Sequence, residues 1–154
     1  GSKPGYLKCT QWVDVLKTIE HIAPKKVGKD SSWDSKLYEN EDYEKIGNLT
    51  LLPVQINSSL GNKDFQGKLF YYKYLAETDP SQRDSILAEA SSQGMQIRTK
   101  TREIFDATAC KHHIAPIITV EGKREWDQDL VNERTKRICE ILWKKLYDDW
   151  LQID

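Results

Sequence analysis

The chain has 154 residues, the size of one domain, and its 38% hydrophobic and 31% charged residues, with five Trp and seven Tyr, describe a globular protein able to bury a core. No apolar run approaches bilayer-spanning length and no signal peptide is visible, so the reading is a cytoplasmic domain without membrane contact. A formal net charge of −1 excludes an evenly cationic nucleic-acid binder, and Cys9, Cys110 and Cys139 are too scattered for a disulfide framework or a C-x-x-C zinc site and read as buried thiols.

Gly1-Ser2, with no initiator Met, reads as the scar of a cleaved tag, so residues 3–154 are expected to be a single domain excised from a larger protein. Trp12, Val13 and Leu16 fall at helical spacing within Tyr6–Leu16 and predict a short helix. A first strand follows over Lys17–Ile22 and ends before Pro24, which cannot donate to a ladder. The polar stretch Lys25–Ser32 is a loop that Trp33 and Tyr38 are expected to anchor. Gly47 permits a turn into a second strand over Leu49–Ile56, which Pro53 places at an edge or bulge, and Ser58 and Ser59 are candidate helix caps. From Asp64 onward Phe65, Leu69, Tyr72 and Leu75 form a helical stripe, with Lys68 and Lys73 off it. After the turn Asp79-Pro80-Ser81 the pattern gives helices at about Gln82–Ala90 and Gln96–Ala109 and a short strand through Ile114–Val120. Leu130, Ile138, Leu142, Leu146 and Trp150 recur on one stripe of a closing helix, 126–151, which is expected to pack the domain.

Strand, strand, helix over 17–76 brings together Glu20, His21, Asn48 and Asn57. Hydrolysis of a phosphodiester needs a base for water, a cation against the phosphate and support for the departing oxygen. His21 supplies an imidazole able to accept a proton near neutral pH. Glu20 and Asn57 supply hard oxygen donors suited to Mg²⁺ or Mn²⁺ that keeps some waters and binds substrate phosphate. The charge distribution agrees: residues 1–30 hold six Lys against three acids, and residues 57–76 hold Lys63, Lys68 and Lys73 against Asp64. Lys63 and Lys68 are therefore the candidate phosphate contacts, in a body that is otherwise neutral or acidic. Successive strand residues point to opposite faces, so Glu20 and His21 can share one phosphate only where pairing is distorted, at the end of the strand before Pro24.

Ile19-Glu20-His21-Ile22-x-Pro24, then Ile46-Gly47-Asn48-Leu49-Thr50-Leu51-Leu52, then Asn57 and Phe65-x-x-Lys68, resemble the HNH-nuclease domain at the C-terminus of GmrSD-type modification-dependent restriction enzymes. Trp126, Val131 and Arg134 are spaced like that family's closing W-x4-I-x2-R signature, with Val in place of Ile. The resemblance implies an α+β, mostly helical fold: a ββα-metal hairpin-helix core surrounded by additional helices. It implies Glu20 and Asn57 as metal ligands, His21 as general base, and Asn48 beside it in the catalytic motif as the brace of the hairpin. It further implies cleavage of DNA to 5′-phosphate and 3′-hydroxyl ends, modified phage DNA as target, and a nucleotide-hydrolysing sensor domain N-terminal to this one in the parent protein. Residues 82–123 match nothing in that pattern and read as an insertion carrying an echo of the first motif, His113-Ile114-Ala115-Pro116.

Each residue also has a plainer reading. An isolated His21 would be a hydrogen-bonded structural histidine, Asn57 could cap the following helix, and Arg134 could pair with buried carboxylates. His112 and His113 read as structural or surface residues, and Arg98, Lys100 and Arg102 as a solvated helix face. At the level of function, the alternatives are a DNA-binding module without chemistry and an RNase-type or toxin-type HNH domain acting on RNA.

Overall fold

The computed structural model describes residues 18–106, 111–119 and 125–151, with the side chains of 104–106, 111–113 and 150 outside that description. The expectations for Gly1-Ser2, the helix Tyr6–Leu16, Cys9 and Cys110 lie outside the described residues. Among the described residues the sheet is a single antiparallel pair, β1 (Thr18–His21) against β2 (Leu49–Leu52), in the register Thr18↔Leu52 to His21↔Leu49. Ile22 N–H extends the contact to Asn48 O at 2.9 Å before Pro24 ends it. The intervening segment crosses the loop after Pro24, a short helix α1 (Lys36–Glu39) and two three-ten turns, Asp42–Glu44 and Ile46–Asn48. Trp33 is buried and the Tyr38 hydroxyl donates to Pro24 O at 3.0 Å, so both aromatics anchor the loop as expected.

The second strand is shorter than its composition suggested. It stops at Leu52, opposite the first residue of β1, and Pro53 instead precedes a helix, α2 (Val54–Leu60). A residue with no N–H and φ fixed near the helical value suits that position, where a helix leaves its first donors unpaired anyway. Ser58 and Ser59 lie inside α2 and donate back to Val54 O and Gln55 O, so they are not caps. The cap of the next helix, α3 (Phe65–Ala76), is Asp64, whose carboxylate accepts from Gly67 N–H at 2.7 Å.

α3 is the central element. Phe65, Leu69, Tyr72 and Leu75 are buried as the stripe predicts, but so are Phe70, Tyr71, Tyr74 and Lys68, because neighbours cover the helix on several sides. α4 (Pro80–Ser92) and α5 (Thr99–Asp106) follow where helices were expected. The predicted strand at 114–120 is instead part of a helix, α6 (Lys111–Ile118). Ile114 and Ile117, three residues apart, are both fully buried, while Pro116 is exposed; burial follows the helical period, and a β-branched run had disguised it. Ile97, Ile114 and Ile117 join the same core cluster as Ile22, Leu52 and Tyr72, so the 82–123 stretch contributes to the central core.

The closing helix, α7 (Gln128–Leu146), is capped by Asp127 accepting from Leu130 N–H at 2.7 Å. Its first turns seat Leu130 and Val131 in the core. Farther along, Ile141, Leu142, Trp143 and Leu146 are exposed, so only the first half of the helix packs the domain as expected. A helix of this length runs roughly 28 Å, far more than the short turn it rests on. Cys139 on this helix is exposed, not the buried thiol its composition suggested. Gly47 fixes the approach of α7: a Cβ there would lie 2.0 Å from Val131 O and 2.7 Å from Thr135 N. Arg134 closes the same junction by donating to Gly47 O and, at 3.2 Å, to Leu49 O, with its guanidinium 5.7 Å from the Trp126 ring; among the described residues it binds carbonyls, not carboxylates.

Candidate functional site

Asn48 ends the second three-ten turn, immediately before β2, and is completely buried. Its Oδ1 accepts from Ala23 N–H at 2.8 Å and from Trp126 Nε1 at 3.0 Å, while Nδ2 donates to Ala23 O at 2.8 Å and Tyr43 O at 2.7 Å. The amide thus ties the end of β1, the turn before β2 and the start of the closing helix into one junction. Both hydrogens and both acceptor directions of the carboxamide are used, which fixes its orientation.

The braced hairpin presents an open cleft of about 320 Å³, bordered by Glu20, His21, Pro24, Lys25, Lys26, Asn57 and Asn62. Glu20 and His21 are the last two residues of β1, and their pairing with Thr50 and Leu49 is regular; the chain leaves the ladder just beyond them. Glu20 lies on the inner face of the hairpin and is 4% exposed, whereas His21 lies on the outer face and both border the cleft. The pairing is thus regular where distortion was expected, and the two residues border one cleft although successive strand positions face opposite ways.

Glu20 Oε1 receives Lys68 Nζ at 2.5 Å and the Tyr72 hydroxyl at 3.3 Å. Lys68 Nζ also donates to His21 O at 2.9 Å. Lys68 was expected at the phosphate, yet it is fully buried and holds the carboxylate instead. Burial pushes the Glu20 carboxyl up, opposed by the Lys68 ammonium, and pushes the Lys68 amine down, opposed by Glu20. Burial, reinforced by Glu20, also raises the Tyr72 phenol well above its ordinary value, so Tyr72 is a neutral donor.

Asn57 stands in α2, not at a helix start, so it caps nothing. Its Nδ2 donates to Thr18 Oγ1 at 3.0 Å and Ile19 O at 3.1 Å, and among the described residues Oδ1 has no hydrogen bond. Among the described residues Glu20 Oε2 makes no hydrogen bond either. Two hard oxygens of cleft-lining side chains thus remain without a hydrogen bond among the described residues, one from a carboxyl group and one from a carboxamide. Among the described residues no three His, Cys, Asp or Glu side chains converge as a metal-holding cluster.

His21 Nε2 is 2.9 Å from Glu44 Oε2, and Lys25 Nζ is 2.5 Å from Glu44 Oε1. Hydrogen bonds from Lys25 and then from His21 hold the Glu44 carboxyl below its ordinary range. Sequence reasoning missed Glu44 because it sits in an acidic run 23 residues from His21. Lys25 and Lys26 were counted only as general positive charge, although their place directly after Pro24 set them beside the motif. Lys63, in the connection between α2 and α3, donates to Ser59 O at 2.7 Å, lies 5.5 Å from the Tyr71 ring and is outside the cleft lining.

A two-stranded hairpin locked by a buried carboxamide, backed by a helix and carrying an acid, an imidazole and a second carboxamide on one cleft defines an α+β domain with an open polar cleft. The chain belongs to the family of GmrSD restriction endonuclease C-terminal domains, whose family model matches residues 5–141, including the 82–123 stretch. This confirms the membership expected from the motifs and makes the chain a domain of restriction endonucleases. A comparison with curated proteins gives no match. No helix of the described residues is long and apolar enough to cross a membrane.

Proposed function

We propose that this domain is an HNH-type, divalent-metal-dependent endonuclease that hydrolyses DNA phosphodiester bonds. The observation that carries the reading is that His21, Glu20 and Asn57 border one cleft, with Glu20 Oε2 and Asn57 Oδ1 making no hydrogen bond among the described residues. A carboxylate and a carboxamide oxygen fit Mg²⁺ or Mn²⁺ that completes its shell with water and phosphate. When bound there, such an ion would polarise the phosphate and stabilise the departing 3′ oxygen.

The residues of the chain do the remainder. His21 takes a proton from the attacking water, Lys25 and Lys26 on the cleft rim draw in the phosphate backbone, and Lys68 with Tyr72 holds one oxygen of Glu20, leaving the other for the ion. Asn48 acts by keeping the hairpin closed. On this reading the phosphate contacts are Lys25 and Lys26, while Lys68 serves as a support. The target is modified phage DNA in the bacterial cytoplasm, selected by a nucleotide-hydrolysing domain of the parent protein.

Supercoiled plasmid and total RNA incubated with the domain and Mg²⁺ test the proposal. The expected result is plasmid cleavage that EDTA abolishes and His21→Ala removes, with intact folding by circular dichroism. Full cleavage by His21→Ala would overturn the assignment, and cleavage of RNA alone would move it to an RNase.

A further inference from the structure

The geometry assigns Glu44 a role as the positioning residue of His21: its carboxylate holds the imidazole in one orientation and one tautomer, with Nδ1 as the proton-accepting nitrogen. This rests on the nuclease reading above, in which His21 is the base, and adds the residue that prepares it.

An ionised carboxylate only accepts hydrogen bonds, so the 2.9 Å contact between Glu44 Oε2 and His21 Nε2 requires the hydrogen to sit on Nε2. A neutral ring with Nε2–H carries its lone pair on Nδ1, and Nδ1 makes no hydrogen bond with the described residues. The ring therefore has one nitrogen free to take a proton, and Glu44 decides which. The His21 main chain is held independently, by its ladder with Leu49 and by Lys68 donating to His21 O. What remains adjustable is the side chain, and the contact to Glu44 is the hydrogen bond that restrains it.

Glu44 is itself well placed to act as a fixed point. It ends the three-ten turn Asp42–Glu44, entered through Glu41 at φ 55°, a left-handed backbone conformation that residues other than glycine seldom adopt. The turn is pinned on both sides of Glu44: Asn48 Nδ2 donates to Tyr43 O at 2.7 Å, and Lys45 Nζ lies 2.9 Å from Asp42 Oδ2. The second oxygen of Glu44 is occupied by Lys25 on the cleft rim, which keeps the carboxylate charged and links the base to the phosphate-facing cation. As a stabilising surface ion pair this contact would matter little, since Glu44 is 44% exposed. Its consequence is the direction of the imidazole.

Glu44→Ala and Glu44→Gln separate positioning from bulk structure, because the amide retains an acceptor oxygen at the same reach. Plasmid nicking under Mg²⁺ should show a kcat about 10- to 100-fold lower for Glu44→Ala with KM within about twofold, and substantial recovery in Glu44→Gln. Long-range proton–nitrogen NMR of the full chain, with the His21 signals identified by their loss in His21→Ala, should show the Nε2–H tautomer in the wild type and a mixture in Glu44→Ala. Wild-type kcat in Glu44→Ala with unchanged tautomer signals, in a protein that His21→Ala inactivates, would overturn the inference and leave the nuclease reading standing. Full activity of His21→Ala would instead remove the nuclease reading. The tautomer measurement would then decide the role of Glu44 alone.

Discussion

Lys68 Nζ lies 2.5 Å from Glu20 Oε1, and both side chains are withdrawn from solvent between the hairpin and α3. Each charge would be costly alone in that setting, and each is tolerated because the other is there. Lys68→Met keeps much of the side-chain volume but strands the Glu20 carboxylate, so it should lower stability by about 3–5 kcal/mol. Adding Glu20→Gln should return a large part of that loss. Urea denaturation of the two single variants and the double variant checks this; strictly additive losses would show that the pair does not act as a pair.

The strand, the turn and the helix behind it were legible because each rests on local chemistry, Pro24 stopping a strand, Gly47 permitting a turn and an apolar stripe from Phe65, whereas the bracing role of Asn48 came from the family resemblance. Lys68 was not, since periodicity registers a lysine off the stripe as exposed and cannot see a carboxylate waiting 48 residues away. Glu44 was hidden for the same reason, and Ile114 and Ile117 because β-branched residues three apart satisfy a strand composition and a helix period together. The exposed end of α7 could not be read either, because a stripe reports which face is apolar and not whether anything covers it.

Asn48 uses its whole hydrogen-bonding capacity inside a site that water does not reach. Asn48→Ala would leave Ala23 N–H, Ala23 O, Tyr43 O and Trp126 Nε1 without their partner, and should cost at least about 3 kcal/mol by chemical denaturation. Asn48→Asp is the sharper test. It is nearly isosteric, but it would set a carboxylate oxygen against two carbonyl oxygens, so it should be destabilised as severely as the alanine variant at neutral pH.

Gly47 is needed for contact, and its value of φ plays no part. Because a Cβ would fall 2.0 Å from Val131 O, Gly47→Ala can be accommodated only by lifting α7 off the turn, which also breaks the Gly47 N–H bond to Thr135 Oγ1 at 3.0 Å. The expected loss is at least about 2 kcal/mol, with a lower Tm in calorimetry. The same displacement moves Arg134 away from Leu49 O, so β2 amides should lose hydrogen-exchange protection in this variant.

Asp42 links the turn that carries Glu44 to the closing helix, meeting Lys45 Nζ at 2.9 Å and Gln128 Nε2 at 2.8 Å. The hydrogen bond from Lys45, followed by that from Gln128, holds its carboxyl below the ordinary value of 3.8, against the opposing effect of burial. A carboxyl depressed on folding gives stability that is present above its unfolded value and is lost as the pH falls through its folded one. Asp42→Asn should therefore be less stable than the wild type at neutral pH by about 1 kcal/mol, and the difference should shrink once the pH drops below 3.8. Urea midpoints for both proteins near neutrality and in acid decide it: a gap that stays constant into strong acid would show that the carboxylate charge contributes nothing to this junction.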